Sequence, residues 1–464
     1  MENITFKLQK EVKSPLYQQL YHYIIGEMAA GRLREGEKLP SKRALCAHLG
    51  VSQSTVETAY GMLAAEGYLR AVPKSGYYVS AALEKTARPL PAPRQPAARE
   101  PDKKSWRYDF STGAVDTSLF PYASWARISR EVISRDPQLL QRGKAQGDAE
   151  LRQTLAAFLR EYRGVCCRAE QIVVGAGLEY LLSVLVQLLP EKSIFAVEDP
   201  GYGALWQTLR NHRRRMVPIP VDGGGMQAEA LVKSRAQIAY VTPSHQFPMG
   251  STMPVGRRSR LLQWAAAKPG RYLIEDDYDS EFRYASRPIP AMQGMDPEGR
   301  VIYIGTFSRS IAPGIRAAYL VLPEALLPVY GERFGFAAST VSRFEQQTLR
   351  LFLEQGLYGR HLRRMTLHYR KKQQLLTQEL RRRFPGAELA GQEAGLHFLL
   401  MLPGQDGAAM AARCRAEGLP VRALSDYRMT PAAPEGALVL GFAGLRLEEI
   451  PAAAAALEAA IRKK

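Results

Sequence analysis

Two short stretches carry groups whose types and spacing could do chemistry. In VVGAGLEYLL an apolar strand runs through Gly175, Ala176 and Gly177 into a helix. Such a turn offers free backbone N–H groups to an anion, phosphate above all, although a tight turn alone would read the same. In RYLIEDDYD, Asp276 and Asp277 end another apolar strand. A carboxylate at the C-terminal end of a parallel strand faces the crevice where ligands bind. Tyr202 in DPGYG and Tyr278 next to the carboxylates suit either that crevice or the core, and His245 in VTPSHQFPMG is equally ambiguous. Of the four cysteines, Cys46, Cys166, Cys167 and Cys414, the adjacent Cys166 and Cys167 have neither CxxC spacing nor nearby histidines, so reduced thiols and no metal site are expected.

The elements that must position these groups follow from the pattern along the chain. At 464 residues, two domains are expected. Residues 81–107 are rich in Pro, Ala and charge and lack apolar periodicity, which marks a semi-rigid, basic linker. Residues 1–80 are mainly helical in period. In residues 108–464, apolar runs such as QIVVGAG, SIFAVEDP, AQIAYVTPS, RYLIEDD, VIYIGTF and AAYLVLP alternate with helical segments. That alternation reads as an α/β body around a mostly parallel sheet. A long basic helical stretch from Arg343 to Arg383 and a smaller α+β portion follow. The chain therefore reads as multi-domain, an all-α/winged-helix head on an α/β body. The net charge of +18 favours a polyanion such as nucleic acid, although charge alone is compatible with a generic basic surface. No apolar run approaches membrane-spanning length and the chain starts without a signal-like segment, so a cytoplasmic protein without a membrane partner is expected.

In the head, Leu16, Leu20, Tyr23, Ile24 and Met28 mark a first helix. Ser41 caps a second helix ending at Gly50, and Ser52 caps a third with Val56, Ala59, Tyr60 and Leu63 on one face. YLRAVPKSGYYVS then reads as a β-hairpin with its tip at Lys74, Ser75 and Gly76. The segments SPLYQQL, GRLREGEKLPSKRALCAHLGVSQSTVETAY, LAAEGYL and KSGYYV resemble the GntR family of winged helix-turn-helix regulators. The resemblance implies that Arg43 contacts double-stranded DNA. It also implies that Ser52, Gln53, Ser54 and Thr55 open a recognition helix toward the major groove, and that Lys74, Ser75 and Gly76 meet the minor groove or backbone.

From YDFSTGAVDTSLFP onward the body resembles the fold-type I aminotransferases that use pyridoxal 5'-phosphate (PLP). More closely, the chain resembles the MocR/GabR group, which fuses such a domain to a GntR head. QGDAELRQTLAAFLREYRGV, EDPGYGAL, VTPSHQFPMG, IEDDYDSEFRY and GTFSRSIAPGIRAAYLVLP occur in that family's order. The resemblance implies a PLP phosphate held at Gly175, Ala176 and Gly177 with Thr306, Ser308 and Arg316. Asp276, with Asp277 its rival, would pair with the ring nitrogen, Tyr278 with the ring hydroxyl, and Tyr202 would stack on the ring. His245 or Gln246 would replace an absent asparagine, and Arg428 would bind a ligand carboxylate.

The departure lies at Arg309, where the family has the lysine that joins PLP covalently. A guanidinium is permanently protonated and offers no free amine. Three accounts stay open: PLP bound noncovalently, another anionic ligand such as an amino-acid adduct of PLP, or an introduced change. The expected function is a DNA-binding regulator that senses PLP, an amino acid or a related effector as a head-to-tail homodimer, with no catalytic residue. The alternatives are an active aminotransferase with a DNA-binding appendage, and a body that only dimerises the heads.

Overall fold

The computed structural model describes residues 14–80, 106–284, 289–431 and 435–463. Most of the expected linker, residues 81–105, lies outside the described residues. The chain divides into two compact units, Met1–Lys103 and Lys104–Lys464.

In the smaller unit, α1 (Leu16–Ala29), α2 (Lys42–Leu49) and α3 (Gln53–Ala65) precede a hairpin of β1 (Leu69–Val72) and β2 (Gly76–Val79). The local causes are those read from the sequence. Ser41 accepts the Ala44 N–H to start α2, and Ser52 accepts the Thr55 N–H to start α3. Leu20, Ile24, Val56, Ala59, Tyr60 and Leu63 close a core from which α3 presents Gln53 and Ser54 to solvent.

The larger unit is built on an eight-stranded sheet. Its strands are β3 (Ile172–Gly175), β4 (Ile194–Asp199), β5 (Arg215–Asp222), β6 (Gly225–Met226), β7 (Ile238–Val241), β8 (Tyr272–Asp277), β9 (Val301–Thr306) and β10 (Ala318–Val321). Their order is β3-β10-β9-β8-β7-β4-β5-β6. Pairing is parallel from β5 through β4, β7 and β8 to β9, while β10 is antiparallel to both β9 and β3. β3 therefore runs with the parallel strands, and its C-terminal end lies on the same edge as theirs. The six apolar runs became β3, β4, β7, β8, β9 and β10 in full or in part.

A second sheet of β11 (Glu388–Ala390), β12 (His397–Met401), β13 (Arg422–Ala423) and β14 (Ala437–Gly441) is antiparallel, in the order β11-β12-β14-β13. The basic stretch is two helices, Arg343–Glu354 and Leu357–Arg383, rather than one. Gly356 separates them in a left-handed conformation (φ 65°) that a side chain rarely adopts. Arg107, assigned to the linker by sequence, already donates its N–H to the Gly418 carbonyl of the body.

Lys372 in the long helix is 1% exposed, and its ammonium is held by the Asp116 carboxylate and the Ala443 carbonyl. Burial pulls this ammonium below its usual range and Asp116 opposes that pull. Burial likewise works against the Asp116 charge. The bonds from Lys372 and Ser118 prevail and hold the carboxyl far below the usual range. Removing one partner of a buried pair strands the other. Asp116→Ala is therefore expected to destabilise the body by about 3 kcal/mol, the low end for such pairs because Asp116 is itself 13% exposed. Asp116 contributes its full stability above the ordinary carboxylate range and loses it as pH falls toward its depressed value. Urea titrations from neutral to acid pH should show the parent approaching the variant; a constant gap would contradict this.

Candidate functional site

One edge of the large sheet gathers the residues that sequence had scattered. β4, β7, β8 and β9 all deliver their C-terminal ends there, and β3 delivers the turn that opens the helix Leu178–Leu188. Between them lies a cleft of about 310 Å³ lined by Tyr202, Asp276, Tyr278, Thr306, Ser308, Arg309 and Arg316. Leu178, Glu179, Thr112, Gly113, Thr242, Phe247 and Pro313 complete the wall. Among the described residues, no lysine lines it.

At one end sits the helix N-terminus. Gly177 precedes the helix at φ 94°, and no side chain caps it. A Cβ at Gly177 would collide with the Arg316 guanidinium, so the site needs glycine for both conformation and space. Arg316 is half-exposed; it donates to the Ala176 carbonyl at 3.2 Å and pairs with Glu179 at 3.0 Å. Glu179, which the sequence pattern did not single out, therefore occupies the cation expected to hold a phosphate. Thr306 Oγ1 accepts the Ser308 N–H at 3.1 Å, which shapes the turn carrying Arg309.

At the other end the two neighbouring aspartates separate. Asp277 is buried against Arg163, 2.7 Å from its guanidinium, and accepts from the Tyr303 hydroxyl. This ion pair holds its carboxyl below the usual range despite burial. Asp276 faces the cleft. Its Oδ2 accepts from the Tyr240 hydroxyl, while its buried Oδ1 has no partner. Burial pushes the Asp276 carboxyl up to about 7, against the opposing Tyr240 bond. A buried carboxylate oxygen without a donor is costly and fits a ligand that brings an N–H.

Tyr278 meets His245 Nδ1 at 3.0 Å, and the same nitrogen lies 3.0 Å from both Asp279 oxygens. His245 thus stands behind Tyr278 rather than on the cleft wall. Gln246 is likewise turned inward, donating to Glu198 and to the Pro200 and Phe247 carbonyls. Phe247 takes the wall position instead, edge-on to Tyr202 at 6.0 Å between ring centres. Burial pushes the Tyr202 hydroxyl up to about 12, while the charge of Arg309 acts the other way. His245, Asp279 and His397 bring donor atoms within 4.8 Å of one another. However, His245 Nδ1 is engaged by Asp279 and Tyr278, and His397 Nε2 by the Pro248 carbonyl.

Arg309 donates from Nη1 to the Thr112 carbonyl at 2.5 Å. Its charge therefore sits in the cleft while one edge of its guanidinium holds the segment that opens the body. Arg428 is not on the wall; it pairs with Glu435 at 2.7 Å. The neighbouring Met429 and Thr430 N–H groups bind Asp199, and the Tyr427 carbonyl accepts from Gly201, just before Tyr202.

In the head, Arg43, Ser52, Gln53, Ser54 and Lys74 are exposed, whereas Thr55, Ser75 and Gly76 are half-buried. Ser52 Oγ lies 2.9 Å from the hydroxyls of both Ser54 and Thr55. Gln53 donates to Glu57, which also pairs with Lys42. Lys74 adopts φ 61° at the hairpin tip.

Comparison with known proteins places both units. Residues 16–79 match "Bacterial regulatory proteins, gntR family", and residues 108–457 match "Aminotransferase class I and II". The HTH-type transcriptional regulator YdeL of Bacillus subtilis (strain 168) is 38% identical over 97% of this chain and 97% of its own length. The HTH-type pyridoxine biosynthesis transcriptional regulator PdxR of Corynebacterium glutamicum is 32% identical, with 91% of each chain covered. Among solved structures, an archaeal alanine:glyoxylate aminotransferase is similar at 27% identity and a TM-score of 0.70, covering 77% of this chain and 91% of that one. LysN of Thermus thermophilus, an alpha-aminoadipate aminotransferase, is similar at 26% identity and a TM-score of 0.68, covering 76% of this chain and 92% of LysN. With a GntR head and an aminotransferase class I and II body on one polypeptide, the chain belongs to the MocR-type family of HTH transcriptional regulators.

Proposed function

We propose that this regulator senses PLP, or a conjugate of PLP with an amino acid, through a body that has lost transamination. The observation that carries the reading is a cleft that keeps groups suited to the ring and phosphate of the cofactor but offers no amine to join it. Asp276 Oδ1 is buried without a donor, an uncapped helix N-terminus opens onto the wall, and Arg309 stands where an amine is required. The solved LysN structure is complexed with N-(5'-phosphopyridoxyl)-L-leucine, a ligand of the proposed chemical class.

The residues divide the work by charge and shape. Gly175, Ala176 and Gly177 lead into the helix whose N–H groups would take the phosphate, with Thr306, Ser308 and Arg316 alongside. Arg316 would exchange Glu179 for the phosphate. Asp276 would hold a proton at the ring nitrogen, Tyr278, backed by His245, would bond the ring hydroxyl, and Tyr202 would cover the ring. PLP, when bound, supplies an electron sink. Exploiting it by transamination needs an amine that joins the cofactor and shuttles a proton, and Arg309 does neither. Arg428 would reach a ligand carboxylate only by leaving Glu435.

Ligand binding would bias the placement of the heads and so change DNA affinity by its differential binding to the two states. In the head, α3, opened by Ser52, would read bases through Gln53, Ser54 and Thr55, while Arg43 would contact DNA and Lys74, Ser75 and Gly76 would meet the minor groove or backbone. A head-to-tail homodimer would read paired half-sites.

Two outcomes test these assignments. With the chain's own upstream DNA, Lys74→Ala should weaken binding alike on all sequences and lower the salt slope by about 1, whereas Gln53→Ala should relax base preference by about 1–3 kcal/mol. Salt-insensitive binding, or equal effects of the two changes, would refute the assignment. Borohydride treatment of the PLP-supplied protein should leave the parent's denatured mass unchanged and add cofactor mass to Arg309→Lys. Cofactor fixed to the parent would restore the enzyme reading.

A further inference from the structure

The body carries a second concave surface, sharing no lining residue with the cleft, whose five cations are offset by a single carboxylate on its wall. It encloses about 790 Å³ and is lined by Lys192, Arg213, Arg214, Arg215 and Arg333, with Glu191 the acid on its wall. Three of the guanidiniums bind neutral oxygens. Arg214 donates to the Val186, Leu189 and Pro190 carbonyls, Arg215 to that of Lys192 at 3.0 Å, and Arg333 to that of Gln187. These carbonyls belong to the end of the helix Leu178–Leu188 and the turn after it, where the negative end of the helix dipole favours cations. That explains why arginines collect here, but it leaves their charge unneutralised. Among the described residues, none of the five cations forms an ion pair within 4 Å, and the side chains of Lys192 and Arg213 are exposed. Arg213 also holds a left-handed backbone, φ 54°, at the tip of the turn into β5.

We infer that this surface is a sequence-independent contact for the phosphate backbone of double-stranded DNA. Four net positive charges spread over a shallow concavity exceed what one small anion needs and suit several successive phosphates. The ligand class is set by charge complementarity together with the DNA-binding head on the same polypeptide, which raises the local concentration of duplex at the body. The inference rests on the DNA-binding reading of the head. In this division of labour the head reads bases and the body adds affinity without sequence preference.

The full chain and a duplex of its own upstream DNA supply the test. The variant Lys192→Ala/Arg213→Ala removes two exposed cations that, among the described residues, bind no carbonyl, and leaves the carbonyl-bound Arg214, Arg215 and Arg333 in place, so its thermal unfolding should match the parent's. Binding is followed by fluorescence anisotropy across a salt series. Each lost phosphate contact lowers the slope of log Kobs against log salt by about 0.9, so the double variant should fall by about 1.8. As a control, Arg363→Ala/Lys371→Ala removes two exposed cations from the long helix and should leave the slope unchanged. An unchanged slope in the first variant, or an equal drop in the control, overturns the assignment while leaving the head's role intact. A parent chain without salt-dependent binding overturns both.

Discussion

In the proposed function the large domain turns on one positive charge that cannot be shed, the Arg309 guanidinium, which lines the cleft and holds the Thr112 carbonyl. The sheet edge that assembles the cleft is that of an aminotransferase: parallel strands end together, a helix N-terminus opens onto the cleft, and a carboxylate waits at the end of β8. These are the features on which the proposed binding of an anionic pyridine rests. In the proposed function Arg309 keeps the favourable electrostatics without the reactivity, because a guanidinium attracts a phosphate or a carbonyl oxygen but does not attack it. Its hydrogen bond to the Thr112 carbonyl adds a mechanical consequence. The residue closest to the chemistry also fastens the segment through which the chain enters the body, so a ligand that competes for Arg309 acts on that segment directly.

The two carboxylates show how the fold distinguishes chemically identical neighbours. Alternation along β8 turns Asp277 toward the Arg163 ion pair and the Tyr303 hydroxyl, and Asp276 toward the cleft with no ion pair; each leaves its Oδ1 without a partner. Burial without an ion pair lifts Asp276 to about 7, so in the free protein it is poised to carry a proton near neutrality. Glu179 pairs with Arg316 at the helix N-terminus, so in the proposed function an incoming phosphate would have to displace it.

Much of this was legible in the sequence because strands and caps are local. The six apolar runs supplied β3, β4, β7, β8, β9 and β10, and Ser41 and Ser52 cap the helices they were expected to cap. β5 was missed because Pro218 and Pro220 break the β pattern, although the strand pairs with β4. The reversed direction of β10 leaves no mark in an apolar run. Non-local facts were also out of reach: nothing in sequence sets Thr112 beside Arg309, 197 residues away, or turns His245 and Gln246 inward so that Phe247 lines the cleft. Asp276, singled out for its place at a strand end, and Arg309, singled out by the family resemblance, both line the cleft. Glu179 was not singled out, because an acid in a helix's first turn is ordinary.

The most direct measurement is a pair of mass spectra, native and denaturing, on protein purified from cells grown with pyridoxine. The account predicts that the native spectrum carries the added mass of PLP or an amino-acid conjugate of it, and that the denatured chain returns to the bare polypeptide mass. A cofactor adduct surviving denaturation, or a native chain that never retains such a ligand, would contradict it.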